Sequence, residues 1–319
     1  MTSAREARFV AGLRERVKGE VREAEALAGY TTFRIGGPAT VFLPRDIDDT
    51  AAGLEAAAAA GVPVFVLGLG SNVLIPDEGM DALVVRLGKG LDPIDRRDGR
   101  WRLGAGLPAP IAARRTAAAG WAGLHMMVGV PGTVGGGVYM NAGCHGGDWA
   151  GVVARVTVLD RHGALSHRDR AAIPFGYRSS GLDDLVVVEA EVELSSGDPE
   201  GLRDEVQRLF DWRQRGTPFN QPCCGSVFRN PEWPAGPPAP DRRTAGQLIE
   251  AVGLKGARAG GAEISPMHAN YFVNRDGATA ADVLELARRA RAAVAARFGV
   301  ELHPEVRILD RLGRVTHLS

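Results

Sequence analysis

Apolar residues recur along the chain in two rhythms, and these divide it into helices and strands. From Thr279 onward, Val283, Leu286, Ala290, Val294 and Phe298 fall three or four apart, the spacing that lines one face of an α-helix. Thr279 and Asp282 form a capping-box signature at its start, and Gly299 ends it. An alanine-rich helix is predicted over 49–60, stopped by Gly61 and Pro63 and feeding the short apolar run 64–67 as a buried strand. Residues 5–25 mix charged and apolar groups at roughly helical spacing, and 31–44 turns extended around the Gly36-Gly37-Pro38 break, so a helix followed by strands is expected. Short β-like runs at 83–87, 152–159 and 185–194 surround a helix at 109–119 and a glycine-rich central loop. The segment 231–243, rich in Pro, Gly and Ala, reads as a surface loop or a substrate lid, and a helix over 245–252, ended by Gly253, follows it. The texture is α+β, with no internal repeat.

Composition narrows the partners. Lys plus Arg and Asp plus Glu both number 38, so no net field draws the chain toward nucleic acid or an anionic membrane. Hydrophobic residues make up 45% of 319, enough for a core shared by two or three domains. The opening residues carry mixed charge with no signal-like apolar stretch, and no run approaches the roughly 18 apolar residues of a membrane span. A cytoplasmic protein without membrane insertion is expected. Cys144, Cys223 and Cys224 have neither C-x-x-C nor Cys/His spacing; they are read as thiols, and no metal is expected.

Two glycine-rich stretches carry the chemistry. In the first, an apolar run leads into Gly68-x-Gly70-Ser71-Asn72-Val73. Glycines there let the backbone adopt unusual φ values and approach a ligand, so successive N–H groups can converge on a diphosphate. A Rossmann fingerprint would need glycine where Val73 stands and a helix where an apolar run continues. The second stretch, Gly129 to Gly143, holds six glycines in fifteen residues. Val138 stands where a Walker A lysine would follow Gly137, so this is not a nucleotide-hydrolysis loop. Either stretch alone reads equally as a tight turn; the two together favour a long ligand such as a dinucleotide.

The order of motifs then resembles one family over nearly the whole chain. Tyr30-Thr-Thr-Phe33-Arg34-Ile-Gly-Gly, Gly68-x-Gly-Ser71-Asn72, Pro131-Gly132-Thr133-x-Gly135-Gly136 with Asn141-Ala-Gly143, and Tyr177-Arg178-x-Ser180 come first. Gly225-Ser226-x-Phe-Arg-Asn230-Pro, Gly253-Leu-Lys255-Gly, His268-Ala-Asn270 and Pro304-Glu305-Val follow. The set is similar to the UDP-N-acetylenolpyruvoylglucosamine reductase (MurB) family, of the type lacking the tyrosine-loop insertion. The resemblance implies an FAD-binding fold of the vanillyl-alcohol-oxidase type, with two α+β subdomains at 1–88 and 89–212. A substrate-binding α+β domain at 213–300 is implied to follow, with the tail 301–319 returning to the middle subdomain. It implies FAD as cofactor, NADPH as co-substrate, and the enolpyruvyl ether of UDP-N-acetylglucosamine as the small-molecule substrate.

What the resemblance implies for residues is specific. Gly68, Gly70, Ser71, Asn72, Val73, Pro131, Gly132, Thr133, Gly135, Gly136, Asn141 and Gly143 are carried over as cofactor-binding. Arg178 is carried over as the cation facing the substrate carboxylate, a role suited to a planar fork of donors. Glu305 is carried over as the group that helps stabilise the enolate, which requires its protonated form if it is to donate a hydrogen bond. Ser226 is carried over as the general acid. Tyr177, Asn230, Lys255 and His268 are carried over near the UDP-sugar. Standing alone, these would read as a surface arginine, a carboxylate at a strand start, a turn asparagine and a solvated lysine.

A hydrolase built on Ser226 and His268 lacks the Gly-x-Ser-x-Gly elbow, because Cys224 and Phe228 occupy the glycine positions. The motifs are also compatible with a flavoenzyme of the same fold acting on another small substrate, and with a non-catalytic flavin- or nucleotide-sugar-binding relative. Departures from the family pattern fall at His125, His303 and Cys144-His145, where tuning rather than the reaction is at stake.

Overall fold

Among residues 3–233 and 242–318, which the computed structural model describes, the helices are α1 (Ser3–Arg16), α2 (Ile47–Ala60), α3 (Ala109–Ala118), α4 (Val134–Tyr139), α5 (Pro199–Gly216), α6 (Ala245–Ala251) and α7 (Ala280–Phe298). The capping box at α7 forms as its sequence requires. The Thr279 hydroxyl accepts from the Asp282 amide at 3.1 Å, and the Asp282 carboxylate accepts from the Thr279 amide at 3.0 Å. Val283, Leu286, Ala290 and Val294 are buried along one stripe, and Gly299 ends the helix at φ +65°. Helix α2 starts at Ile47 because Asp46 accepts from the Asp49 amide, and Gly61 closes it at φ +61°.

Two expectations are corrected. The N-terminal helix stops at Arg16 rather than 25, and Glu20–Ala26 is a strand beside Pro38–Leu43. Gly19 makes the approach: a Cβ there would lie 2.1 Å from the Leu43 carbonyl oxygen. The glycine-rich centre is not all loop, since α4 lies within it. Added Cβ atoms at Gly135 and Gly137 would lie 2.8 Å from the Ala105 Cβ and 2.3 Å from the Trp149 Nε1. Close packing therefore overrides the poor helix propensity of glycine. Most of the expected 231–243 loop lies outside the described residues.

The chain divides into two compact units. The first comprises residues up to Glu25, Ala39–Leu69 and Asp81–Arg213. It holds a four-stranded sheet in the order Glu20–Ala26, Pro38–Leu43, Leu83–Arg86, Val64–Leu67, in which the last three run parallel. Its five-stranded antiparallel sheet runs Leu165–Asp169, Val153–Leu159, Val186–Val192, Arg100–Gly104, Ile94–Arg97. Parts of the expected subdomains at 1–88 and 89–212 share a core in this unit, where Leu159, Val186 and Val188 pack with Phe42, Leu54 and Leu83.

The second unit comprises Ala26–Pro38, Gly70–Met80 and the chain from Gln214 on. Its four-stranded sheet runs Cys223–Ser226, Tyr271–Asn274, Ala262–Ile264, Arg258–Ala259, backed by α6 and α7. The tail, expected to return to 89–212, belongs to this unit instead. Leu302, Val306, Ile308 and Leu318 join its core, and Arg307–Ile308 pairs in parallel with Val73–Leu74.

Candidate active site

In the first unit the two glycine stretches touch. A Cβ on Gly68 would lie 2.7 Å from the Thr133 hydroxyl, which itself accepts from the Gly136 amide and caps α4. The Gly132 carbonyl accepts from Ala109 at 2.9 Å and so ties the second stretch to the start of α3. Position 136 opens outward, with only the Thr133 hydroxyl near a built Cβ, at 3.6 Å.

The same unit builds the Arg178 turn. Gly176 and Ser179 exchange backbone hydrogen bonds of 2.9 and 3.3 Å, with Tyr177 and Arg178 between them and Arg178 at φ +56°. A left-handed arginine costs about 1–2 kcal/mol, so the surroundings must impose it. Asn141 does much of this, although its side chain was expected to serve a cofactor. Its amide donates to the Gly176 carbonyl at 2.9 Å and to Asp148 at 3.1 Å, and its carbonyl accepts from Ala150 at 2.9 Å. The Arg178 guanidinium donates to the Gly143 carbonyl at 3.4 Å and lies 4.9 Å over the half-exposed Tyr177 ring.

In the second unit Gly70 sits at φ +64°, where a Cβ would lie 2.4 Å from the Tyr30 carbonyl oxygen. Thr32 binds this loop through its amide to the Gly70 carbonyl, 3.2 Å, and reaches the Cys223 carbonyl through its hydroxyl, 2.7 Å. Ser71 comes near Gly225, with 4.0 Å between its carbonyl oxygen and a built Cβ. Asn72 holds the tail: its carbonyl accepts from Arg307 and its side-chain amide donates to the Glu305 carbonyl, both 3.1 Å. Val73 enters the parallel pair with Arg307. The Glu305 amide donates to the Val227 carbonyl at 2.8 Å, which brings Ser226 and Glu305 onto adjoining segments. Cys224, fully buried beside them, has its thiol pushed well up, first by burial and then by the neighbouring Cys223 and Glu305 charges. It is an inert thiol rather than a rival nucleophile.

The remaining candidates gather around α6. Asn230 accepts from the Ala245 amide at 3.1 Å, Lys255 pairs with Glu250 at 2.8 Å, and the His268 ring packs against Gly246 and edge-on to Tyr271, with 4.8 Å between ring centroids. Of the departures from the family pattern, His125 accepts from the Gly123 amide and the His303 carbonyl accepts from Arg229. His145, at φ +53° in the hairpin between Gly143–Cys144 and Gly147–Asp148, lies edge-on to Trp212 at 5.0 Å. Its pKa is lowered, first by burial and then by Arg213 and Arg208. One residue to which the sequence assigned no role takes a distinct place: Asn270, which binds both backbone groups of Phe228. Its sequence signals are its place in the His268-Ala-Asn270 motif and a polar amide just before an apolar strand.

In the first unit, bare backbone at Gly68, the Thr133 hydroxyl and the open position 136 have the chemistry of a phosphate cradle; in the second, the left-handed backbone at Gly70 leads into Ser71 and Asn72. Among the described residues no group of three or more His, Cys, Asp or Glu could hold a metal ion. Fold and site thus define an α+β protein of the flavin-nucleotide-binding class, and residues 38–167 match the FAD binding domain. Residues 217–309 match the C-terminal domain of UDP-N-acetylenolpyruvoylglucosamine reductase. The reductase of that name from Halalkalibacterium halodurans is 40% identical over 304 residues, 94% of this chain and 98% of that one. The one from Rubrobacter xylanophilus is 43% identical over 289 residues, 89% and 94%. The crystal structure of the Thermus caldophilus enzyme superposes with a TM-score of 0.76 at 33% identity, covering 91% of this chain and 99% of that one. The chain belongs to the UDP-N-acetylenolpyruvoylglucosamine reductase (MurB) family.

Proposed function

We propose that this protein is a cytoplasmic, FAD-dependent reductase that uses NADPH to convert the enolpyruvyl ether of UDP-N-acetylglucosamine into UDP-N-acetylmuramate, a step in peptidoglycan precursor synthesis. The names of relatives about as long as this chain support the activity, and the FAD binding domain match supports the cofactor. Gly68 and the 131–136 run of the first unit, and Gly70, Ser71 and Asn72 of the second, are the residues that the family resemblance assigns to FAD. FAD, when bound, would supply the hydride-transfer chemistry that links NADPH to the vinyl group of the substrate.

The chain's own residues must then manage charge and a proton. Negative charge develops on the carbon beside the substrate carboxylate, so a fixed cation and a proton donor are needed there. Arg178, pre-set in its turn by Asn141, supplies the cation. The Ser226 hydroxyl delivers the proton to that carbon, and Glu305 stabilises the enolate. One hydride and one proton add across the double bond, NADPH becomes NADP+, and the vinyl ether becomes a saturated ether.

The observation that carries this assignment is the 2.8 Å hydrogen bond from the Glu305 amide to the Val227 carbonyl, one residue beyond Ser226. The test separates the half-reactions. Ser226→Ala should keep flavin reduction by NADPH at the wild-type rate, while reoxidation by the enolpyruvyl UDP-sugar slows by about 10²–10⁴-fold, the range for loss of a general acid. Equal slowing of both halves would refute the role of Ser226. A wild-type flavin that is reduced by NADPH but stays reduced with this sugar would move the substrate elsewhere.

A further inference from the structure

We propose that Asn270 is a positioning residue for the reduction, one that holds Ser226 in register with Glu305; the proposal rests on the functional reading above. Asn270 is 3% exposed and immediately precedes the strand Tyr271–Asn274. Its side-chain carbonyl accepts from the Phe228 amide at 3.0 Å, and its side-chain amide donates to the Phe228 carbonyl at 2.8 Å. Its backbone carbonyl accepts from the Val227 amide at 2.8 Å. The side chain therefore supplies both halves of a ladder contact that a neighbouring strand would otherwise make.

The need for such a clamp is local. The pairing between Cys223–Ser226 and Tyr271–Asn274 slips in register between Cys223 and Ser226, and Gly225 sits at φ +78°. An irregularity of this kind bends the strand and re-aims the side chains beside it, so the direction of Ser226 depends on what holds the residues just beyond it. Asn270 fixes it from one side, through Val227 and Phe228. Glu305 and Val306 fix it from the other, since both amides converge on the Val227 carbonyl at 2.8 and 3.3 Å. Val227 is thus held through its N–H by Asn270 and through its C=O by Glu305. Asn72 in turn holds the Glu305 carbonyl. The path runs Asn270, Val227, Glu305, Asn72, with Ser226 at its first joint. A buried amide with both ends satisfied fits this place, whereas an apolar residue would leave the Phe228 peptide unpaired.

The test uses the full-length, FAD-loaded protein and stopped-flow measurement of each half-reaction, with Asn270→Ala and the isosteric Asn270→Asp, which keeps the acceptor and loses the donor. Flavin content and reduction by NADPH should stay within about twofold of wild type. Reoxidation by the enolpyruvyl UDP-sugar should slow by about a hundredfold, the scale of a 1 Å misplacement. The solvent deuterium isotope effect on reoxidation should rise, because proton delivery from Ser226 becomes limiting. Ser226→Ala with Asn270→Ala should be no slower than Ser226→Ala alone, as for two residues acting in one step. Should the alanine variant fail to accumulate with flavin, the aspartate variant carries the same readouts. Unchanged reoxidation and isotope effect, equal slowing of both halves, or additive losses in the double variant would each overturn the proposal. A wild-type flavin not reoxidised by this sugar would instead count against the functional reading.

Discussion

The side-chain amide of Asn141 donates to the carbonyl of Gly176 at 2.9 Å, and so a buried residue of the glycine-rich centre opens the turn that presents Arg178. The left-handed backbone at Arg178 is then a consequence of tertiary contact rather than of local preference. Arginine is a poor choice for that conformation, and its presence there points to the guanidinium.

Arg178→Gly should therefore separate stability from activity. Removing the side chain at φ +56° relieves about 1 kcal/mol of backbone strain, so the urea midpoint should hold or rise. Reoxidation by the enolpyruvyl UDP-sugar should fall at least a hundredfold, in line with loss of a charge-stabilising donor. A clear drop in midpoint would contradict the strain argument.

Asn141→Ala should behave in the opposite way. It removes three hydrogen bonds at a 4% exposed site, leaving buried groups unpaired at a cost of about 2–3 kcal/mol. Urea denaturation of the FAD-loaded protein measures this, and a loss below about 0.5 kcal/mol would show that the turn holds itself.

Gly68 and Thr133 should couple. Gly68→Ala drives a methyl group to 2.7 Å from the Thr133 hydroxyl and should cost about 1–2 kcal/mol as overpacking. Thr133→Ala should cost about 1 kcal/mol as a lost helix cap. The double variant should be more stable than the sum by about 1 kcal/mol, because the clashing oxygen is gone. Simple additivity in a double-mutant cycle would mean that the two stretches are held apart by something else.

His145 predicts an acid sensitivity. Its folded pKa is lowered, by burial first and then by Arg213 and Arg208, with Glu205 opposing. The unfolded chain, near pKa 6.5, therefore binds the proton more readily. Stability from the neutral ring is complete above that value and is lost as pH falls through 6.5 toward the lower folded pKa. Melting temperature should drop more for wild type than for His145→Gln between about pH 7 and 5, with parallel curves above about pH 7.5. Parallel curves throughout would refute the linkage.

Lys255 tests the substrate side. Its pair with Glu250 at 2.8 Å is partly exposed, worth at most about 1 kcal/mol, and so leaves the ammonium able to exchange partners. Lys255→Ala should raise KM for the UDP-sugar about tenfold, the scale of one charge-assisted contact, with flavin reduction unchanged, and Glu250→Gln should leave KM equal or lower. An unchanged KM in Lys255→Ala would leave the lysine a surface cation only.

By itself the sequence determined what depends on neighbours in the chain. Thr279 with Asp282 capped α7, the spacing of Val283 to Val294 chose its buried face, and Gly61 and Gly299 ended helices in the left-handed conformation, because caps and periodicity act within a few residues. The order of short motifs pointed to the MurB family, for which the relatives then spoke directly. Tertiary structure decided what depends on distant partners. It turned 20–26 into a strand, made a helix of Val134–Tyr139 against Ala105 and Trp149, and packed Leu159, Val186 and Val188 with Phe42, Leu54 and Leu83 in one core. It also brought the tail and Glu305 to Asn72 and Val227. Long-range strand pairing and the close approach of glycines leave no periodic mark in the chain, since their energetics reside in groups that meet only after folding.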